Sequence, residues 1–157
     1  MSTRETLAAD RQDIEYLRRL YAKATDGLGK NTPEDIAMAR TIYHQIFTPD
    51  VQIRTSNTGA AEPLSASSPE EWADVVNGAL KHFVGTQHLI GTQLVELNGD
   101  EAQMESYVNA WHKYDDGRVY SYLGTYIDKV RRTDQGWQIY DMELRHDTSG
   151  TVQTEER

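Results

Sequence analysis

The sequence predicts an α+β fold in which three N-terminal helices pack on one face of a strongly curved, mostly antiparallel sheet. Two observations lead to this prediction. Apolar residues recur at helical spacing in the first half of the chain, and strand-like runs joined by short turns fill the second half. Helices followed by a continuous sheet are typical of α+β domains, because each layer buries its apolar face against the other. Such a sheet, covered on one side by helices, forms a cone-shaped barrel whose interior can hold a ligand.

Three helices are predicted in the first 84 residues. The first is expected to stop at Gly27 or Gly29, since glycine commonly ends a helix. The second begins after the cap residue Thr32 and ends before Pro49, and the third begins after Ser68. Their apolar stripes are Ile14, Leu17, Leu20, Tyr21 and Ala24; Ile36, Ala39, Ile42, Tyr43, Ile46 and Phe47; and Trp72, Val75, Val76, Ala79, Leu80 and Phe83.

The strands are predicted from alternating apolar residues and from turn residues. A short strand is expected at 51–54, followed by a loop at 55–67 that is long enough to be a lid or an oligomer contact. The clearest hairpin turn is Asn98-Gly99. The polar segment 147–157 is predicted to be a loose tail. The four long strands are 87–97, 102–114, 118–131 and 136–146.

Length and composition restrict the class of protein. The 157 residues predict a single domain, 1–157, with its core at about 8–146. The net charge of −9 argues against a nucleic-acid partner and against an anionic membrane surface. The chain has no cysteine, so disulfides, thiolate metal sites and cysteine nucleophiles are excluded. The N-terminus shows no apolar signal core and the chain no long apolar run, so we expect a cytoplasmic protein with no membrane partner.

Two histidines and one aspartate are the most informative polar residues. His88 lies in the strand-like run 87–92 and His112 ends the run 107–112. Because a hairpin joins these runs, both imidazoles can reach one cavity. A neutral imidazole accepts a proton at physiological pH, and a carboxylate at its second nitrogen fixes the tautomer. Asp26, at the predicted end of the first helix, can supply that carboxylate.

Each of these residues also has an ordinary structural interpretation. His88 can be a core histidine, the direction of His112 depends on strand register, and Asp26 can be part of a helix stop. Asp13 is a rival partner for the base, although a salt bridge to Arg18 or to a neighbouring residue is its more ordinary role. The remaining histidines, which are expected to be surface or structural residues, are His44, His82 and His146. No metal site is expected, because His82 and His88 do not have the spacing of ligands on one helix face or strand face.

The order of elements resembles the nuclear-transport-factor-2-like superfamily. The chain looks most similar to its SnoaL-like branch, which includes scytalone dehydratase, bile-acid dehydratases and a hexachlorocyclohexane dehydrochlorinase. The resemblance extends over about residues 8–146. The matching stretches are 14–22 running into Asp26, 47–51, 86–91, 106–112, and 124–128 closing on 136–139.

The resemblance implies a homo-oligomer, a dimer or a trimer, with a pocket for a small hydrophobic ligand. In the dehydratases and dehydrochlorinases of this branch, an aspartate on the first helix orients a histidine that acts as base, and these roles carry over to Asp26 and His88. A second histidine of some dehydratases matches His112, which we expect to act as the acid or as a second base. A tyrosine five residues before the aspartate matches Tyr21, which would supply a hydroxyl to the substrate oxygen. A basic residue late in the last strand matches Arg145.

The predicted pocket is lined by aromatic residues, and we expect Tyr107 and Trp111 to contact the substrate there together with Arg145. Two positions depart from the family pattern. Thr25, rather than tyrosine, precedes Asp26, and Thr92 stands where many members have asparagine.

The residues therefore predict a lyase or isomerase that needs no metal or organic cofactor. It would abstract a proton beside a carbonyl of a small hydrophobic, cyclic substrate, and an elimination or a double-bond shift would follow. The alternative is a non-catalytic module of the same fold. Such a module would bind a small molecule or assist assembly, as the small subunit of ring-hydroxylating oxygenases does.

Overall fold

In the part of the chain that the structure describes, three helices cover one face of a six-stranded sheet. The structure is a computed structural model that describes residues 3–56 and 62–154. The helices are α1 (Thr3–Lys30), α2 (Pro33–Ile46) and α3 (Pro69–Leu80). The strands are β1 (Phe47–Ser56), β2 (Ser65–Ala66), β3 (Gly85–Asn98), β4 (Glu101–Lys113), β5 (Arg118–Thr133) and β6 (Gly136–Gln153). The predicted α+β fold is confirmed, with a sheet that is curved but not closed.

The sheet is mostly antiparallel and has the strand order β2-β1-β6-β5-β4-β3. Strands β3 to β6 form the predicted meander, whereas β1 pairs parallel with β6 and carries β2 at its edge. Each hairpin turn places a glycine at positive φ, where a side chain would be strained. These are Gly99 at 64°, Gly117 at 84° and Gly136 at 99°. The predicted turns therefore set the observed meander.

Helix α1 is longer than predicted. It continues through Gly27 and Gly29 to Lys30, and the chain reverses at Asn31, whose φ is 58° and whose N–H donates to the Leu28 carbonyl. Gly29 permits close packing rather than helix termination, since a Cβ there would lie 2.4 Å from a side-chain carbon of β3. Asp26 consequently lies one turn inside the helix, not at its end.

Three other boundaries differ from the prediction. Helix α2 ends before Pro49, as predicted, but strand β1 begins directly after it at Phe47, earlier than the predicted 51–54, and includes Pro49. Strand β6 continues to Gln153, so the prediction of a loose tail is wrong over residues 147–153. These residues pair with the first half of β5, which otherwise would have no neighbour on that side. Of the predicted loop 55–67, Ser65–Ala66 form β2, and 57–61 lie outside the described residues.

An ion pair is buried in the core between the helices and the sheet. The side chains of Arg18 and Asp128 are both fully buried, and Arg18 Nε donates to Asp128 Oδ2 at 3.1 Å. The guanidinium also lies 3.9 Å from the ring centre of Tyr126 and 4.4 Å from that of Tyr21. The expected salt bridge between Arg18 and Asp13 is therefore replaced by this long-range pair, and Asp13 is exposed.

Candidate active site

Asp26 and His88 form a hydrogen-bonded pair between α1 and β3. Asp26 Oδ1 lies 2.8 Å from His88 Nδ1 and also accepts the backbone N–H of His88 at 2.9 Å. Because a carboxylate can only accept, the neutral His88 ring carries its proton on Nδ1 and leaves Nε2 free to take a proton. The side chain of Asp26 is 17% exposed and that of His88 is 10% exposed. This is the arrangement of a general base that is oriented by a carboxylate.

His88 forms part of the wall of a cavity of about 310 Å³ between α1, α3 and the inner face of the sheet. This volume lies within the range of small-molecule sites. Among residues 3–56 and 62–154, no aspartate, glutamate, lysine or arginine lines it, so the polar groups that these residues supply are two imidazoles and several hydroxyls. The aromatic residues of the lining are Tyr21, Trp72, Phe83, Tyr120, Tyr122 and Tyr126.

His112 faces the same cavity as His88. The two ring centres are 5.6 Å apart, and His112 Nδ1 lies 2.6 Å from the Thr86 hydroxyl. Phe83 and Tyr120 stack on the His112 ring at 4.8 and 5.8 Å. Burial, with a smaller contribution from the charge of His88, lowers the pKa of His112 to about 4. The His112 ring is therefore neutral at pH 7.

Tyr21 lies in the cavity wall, but neighbouring side chains cover its ring and bind its hydroxyl. Its hydroxyl accepts the indole N–H of Trp72 at 3.1 Å, and its ring stacks on Tyr43 and meets Tyr126 edge-on. Only 2% of Tyr21 is exposed. Burial raises the pKa of Tyr43 and Tyr126 well above the usual value, so those two hydroxyls stay protonated. Tyr21 thus belongs to a cluster of packed tyrosines, with Tyr43 and Tyr126, next to the cavity that the two histidines line.

Three residues that were expected to contact the substrate lie outside this cavity. Strand β4 turns alternate side chains inward, so the inward direction of His112 sends Tyr107 and Trp111 to the outer face, where they are 53% and 39% exposed. Arg145 is also exposed, and its Nε donates to Glu143 at 2.9 Å. The expectation that these three residues line the pocket is therefore corrected.

Four residues near the histidines were not identified from the sequence. Tyr120, Tyr122 and Tyr126 share one parity along β5, and this alternation indicates a common inward face. Thr86 lies two residues before His88 and has the same parity. Side chains alternate between the two faces of a strand, so all four residues could have been predicted to face the cavity once one inward-facing residue of each strand was known.

The other histidines and acids lie away from the cavity. His44 Nε2 lies 2.6 Å from Glu70 Oε1 on the surface, and His82 and Asp13 are exposed. Across residues 3–56 and 62–154, no three histidine, aspartate or glutamate side chains are grouped as a metal site requires. Within the same ranges, no helix is both long and apolar enough to cross a membrane.

Comparison with protein families gives one match over most of the chain. The family described as SnoaL-like domain matches residues 6–143. None of the curated protein sequences that were compared with this chain matches it.

Solved structures share the fold over nearly their whole length. A protein assigned as a scytalone dehydratase, from Novosphingobium aromaticivorans, is 19% identical with a TM-score of 0.75, covering 98% of this chain and 94% of its own. LinA, named a hexachlorocyclohexane dehydrochlorinase, is 17% identical with a TM-score of 0.76, covering 100% of both chains. The β subunit of an assigned aromatic-ring-hydroxylating dioxygenase from N. aromaticivorans is 17% identical, with a TM-score of 0.68 and coverage of 91% and 92%.

Proposed function

Because this chain belongs to the SnoaL-like domain family, we propose that it is a cofactor-independent lyase or isomerase. Its substrate would be a small, hydrophobic, cyclic molecule. The observation that carries this proposal is the Asp26–His88 pair, because His88 also lines the 310 Å³ cavity. Scytalone dehydratase and LinA, whose names denote eliminations, share the fold and support this class of reaction.

The reaction begins with proton abstraction by His88. Nε2 takes a proton from a carbon beside a carbonyl, and the electrons of the broken C–H bond form a new double bond. In a halogenated ring the proton comes from the carbon beside a carbon–halogen bond, which breaks as the double bond forms and releases halide. Asp26 stabilises the resulting imidazolium through the Nδ1–H bond. In a dehydration the C–O bond breaks next, and the departing hydroxide recovers the proton from His88 as water. In an isomerisation the proton returns to a different carbon.

His112 takes part in this scheme as a neutral group. Its pKa of about 4 disfavours a protonated His112 as the acid at pH 7. A neutral imidazole can still form a hydrogen bond with a substrate oxygen on which negative charge develops.

The lining of the cavity favours an uncharged substrate. A carboxylate or phosphate brought into this space would meet no lysine or arginine of the described residues, and the desolvation of its charge would be uncompensated by them. Apolar rings would pack against the aromatic walls and bury apolar surface there. A neutral cyclic hydroxyketone or halogenated ring satisfies both conditions.

A second candidate is an accessory or assembly module, and one observation favours it. Apolar side chains on the outer face of the sheet are exposed; they are Leu89, Tyr107, Trp111 and Leu123. A partner subunit or a second copy of the chain can cover such a surface. We also expect a homo-oligomer, which light scattering on the purified protein would measure.

Turnover separates the two candidates. The protein is incubated in D₂O with bicyclic β-hydroxy ketones and with polychlorinated cyclohexanes, and NMR follows deuterium uptake and elimination. An enzyme of the proposed class exchanges or eliminates at least one probe. His88→Gln should lower the rate by about 10²–10⁴-fold, whereas the exposed control His82→Gln should not. Equal rates for His88→Gln and wild type would contradict the proposal, as would the absence of exchange on every probe.

A further inference from the structure

The Thr86 hydroxyl is a close partner of His112. Thr86 and His112 are directly paired across β3 and β4, and Oγ1 lies 2.6 Å from the ring Nδ1. Within the described part of the chain, this is the one hydrogen bond that the structure gives to the Thr86 side chain. A hydroxyl can donate to a bare Nδ1 or accept from Nδ1–H. Acceptance would leave the hydroxyl hydrogen without a partner in a half-buried site, which is unfavourable.

We propose that Thr86 is a positioning residue that donates to Nδ1 of His112 and fixes this ring as the Nε2–H tautomer. His112 then presents a hydrogen-bond donor to the cavity. The use of this donor on a substrate oxygen rests on the proposed function. The tautomer itself does not, because it is a property of the free protein.

The two imidazoles are then opposite in character. Asp26 holds the proton of His88 on Nδ1, so its Nε2 is an acceptor, whereas Thr86 gives His112 an Nε2 that donates. The ring centres are 5.6 Å apart, so a single small substrate can meet both. One ring removes a proton, and the other stabilises the oxygen that gains charge. The low pKa of His112 supports this assignment, since a neutral ring carries only one proton.

Helix α1 fixes the hydroxyl of Thr86 in place. A Cβ at Gly29 would lie 2.4 Å from Thr86 Cγ2, nearer than carbon atoms can approach, so the methyl group already packs against the bare helix backbone. In threonine the methyl and the hydroxyl turn together about one torsion angle. The contact with Gly29 therefore also holds Oγ1 toward His112. Stacking by Phe83 and Tyr120 holds the His112 ring itself.

The tautomers can be read directly by long-range ¹H–¹⁵N NMR of the ¹⁵N-labelled protein at pH 7, without substrate. We expect the proton on Nε2 of His112 and on Nδ1 of His88. Thr86→Val keeps the side-chain shape but removes the donor, so the His112 Nδ1 resonance should move to the position of an unbonded nitrogen. Thr86→Ser should restore it.

The variant Gly29→Ala tests the contact with the helix, and it should change the His112 signals as Thr86→Val does. Gly27→Ala is the matched control in the same helix, because its Cβ would meet its nearest neighbour at an ordinary 3.6 Å. A proton on Nδ1 of His112 in the wild type would overturn the proposal. His112 signals that are identical in wild type and Thr86→Val would also overturn it.

Kinetics with a probe that the enzyme turns over give a separate result. Thr86→Val should lower kcat by up to about 10²-fold, the cost of losing one donor to a developing negative charge, and Thr86→Ser should recover most of the loss. If the NMR result is as expected but no probe reacts with the wild type, the proposed function fails and the Thr86–His112 assignment stands. If turnover is found but kcat is the same for Thr86→Val, the positioning role is overturned.

Discussion

A single oxygen of Asp26 accepts hydrogen bonds from both the ring and the backbone N–H of His88. Oδ1 lies 2.8 Å from the ring Nδ1 and 2.9 Å from the backbone nitrogen. The ring is therefore oriented relative to its own strand as well as to α1. A substitution at position 26 must affect the base and the contact between helix and strand together.

We expect Asp26→Asn to lower kcat by about 10⁴-fold. The amide NH₂ can donate to Nδ1, which would move the ring proton to Nε2 and disable the base. Rates on any probe that the wild type turns over measure this loss. Asp13→Asn, an exposed change on the same helix, serves as the control. Equal activity for Asp26→Asn and Asp13→Asn would contradict the orienting role.

His112 should make the stability of the protein depend on pH. Its pKa is about 4 in the folded state and 6.5 in the unfolded chain, so the unfolded state binds the proton more readily. The contribution is fully present above pH 6.5 and is lost as the pH falls toward 4, by up to roughly 3 kcal/mol. Urea unfolding of wild type and His112→Gln at pH 7 and pH 4.5 measures it. An equal decrease in both proteins would contradict the assignment to His112.

The buried Arg18–Asp128 pair should be sensitive to the loss of either charge. Asp128→Asn leaves the Arg18 guanidinium buried without a counter-ion, so we expect the free energy of unfolding to fall by about 3–5 kcal/mol. Glu15→Gln is the control, because Glu15 pairs with Arg19 on the exposed side of the same helix. That change should lower the stability by less than about 1 kcal/mol. Urea denaturation compares the two, and similar losses would refute the prediction.

Two glycine-to-alanine changes should have opposite effects on stability. At Gly78 of α3 an added Cβ meets nothing within 4 Å, so Gly78→Ala should stabilise the protein by about 0.4–1 kcal/mol. At Gly29 the added Cβ overlaps Thr86, and overpacking should cost about 1–3 kcal/mol. Thermal unfolding of both variants measures the difference. A gain at Gly29 equal to that at Gly78 would show that the helix and β3 are not in close contact.

The sequence was sufficient to predict the meander and the two candidate histidines, because turns and alternation are local properties of the chain. Gly99, Gly117 and Gly136 each sit where the hairpins require positive φ. The Asp26–His88 contact spans 62 positions; the residues alone left Asp13 as a rival partner, and the family resemblance favoured Asp26. The functional role of the contact stays a proposal.

The incorrect predictions concern the direction of side chains and the ends of elements. Trp111 and His112 are neighbours, so only one of them can face the cavity, and the prediction included both. Glycine commonly ends a helix, and Gly29 was predicted to do so. In the structure a glycine is needed at this position because any side chain would overlap Thr86. The polar residues of 147–153 gave no strand signal, because their pairing depends on the free edge of β5.

The pairing of residues 146–153 with β5 has a consequence for the size of the cavity. Residues 146–153 hold the segment 118–124, which carries Tyr120 and Tyr122 in the cavity wall. Asp26 and His88 belong to other elements and do not depend on this hairpin for their hydrogen bond. The reach of the β5–β6 hairpin can therefore lengthen or shorten without breaking the Asp26–His88 hydrogen bond. Selection, or a designer, can adjust which molecules fit the cavity while keeping that pair intact.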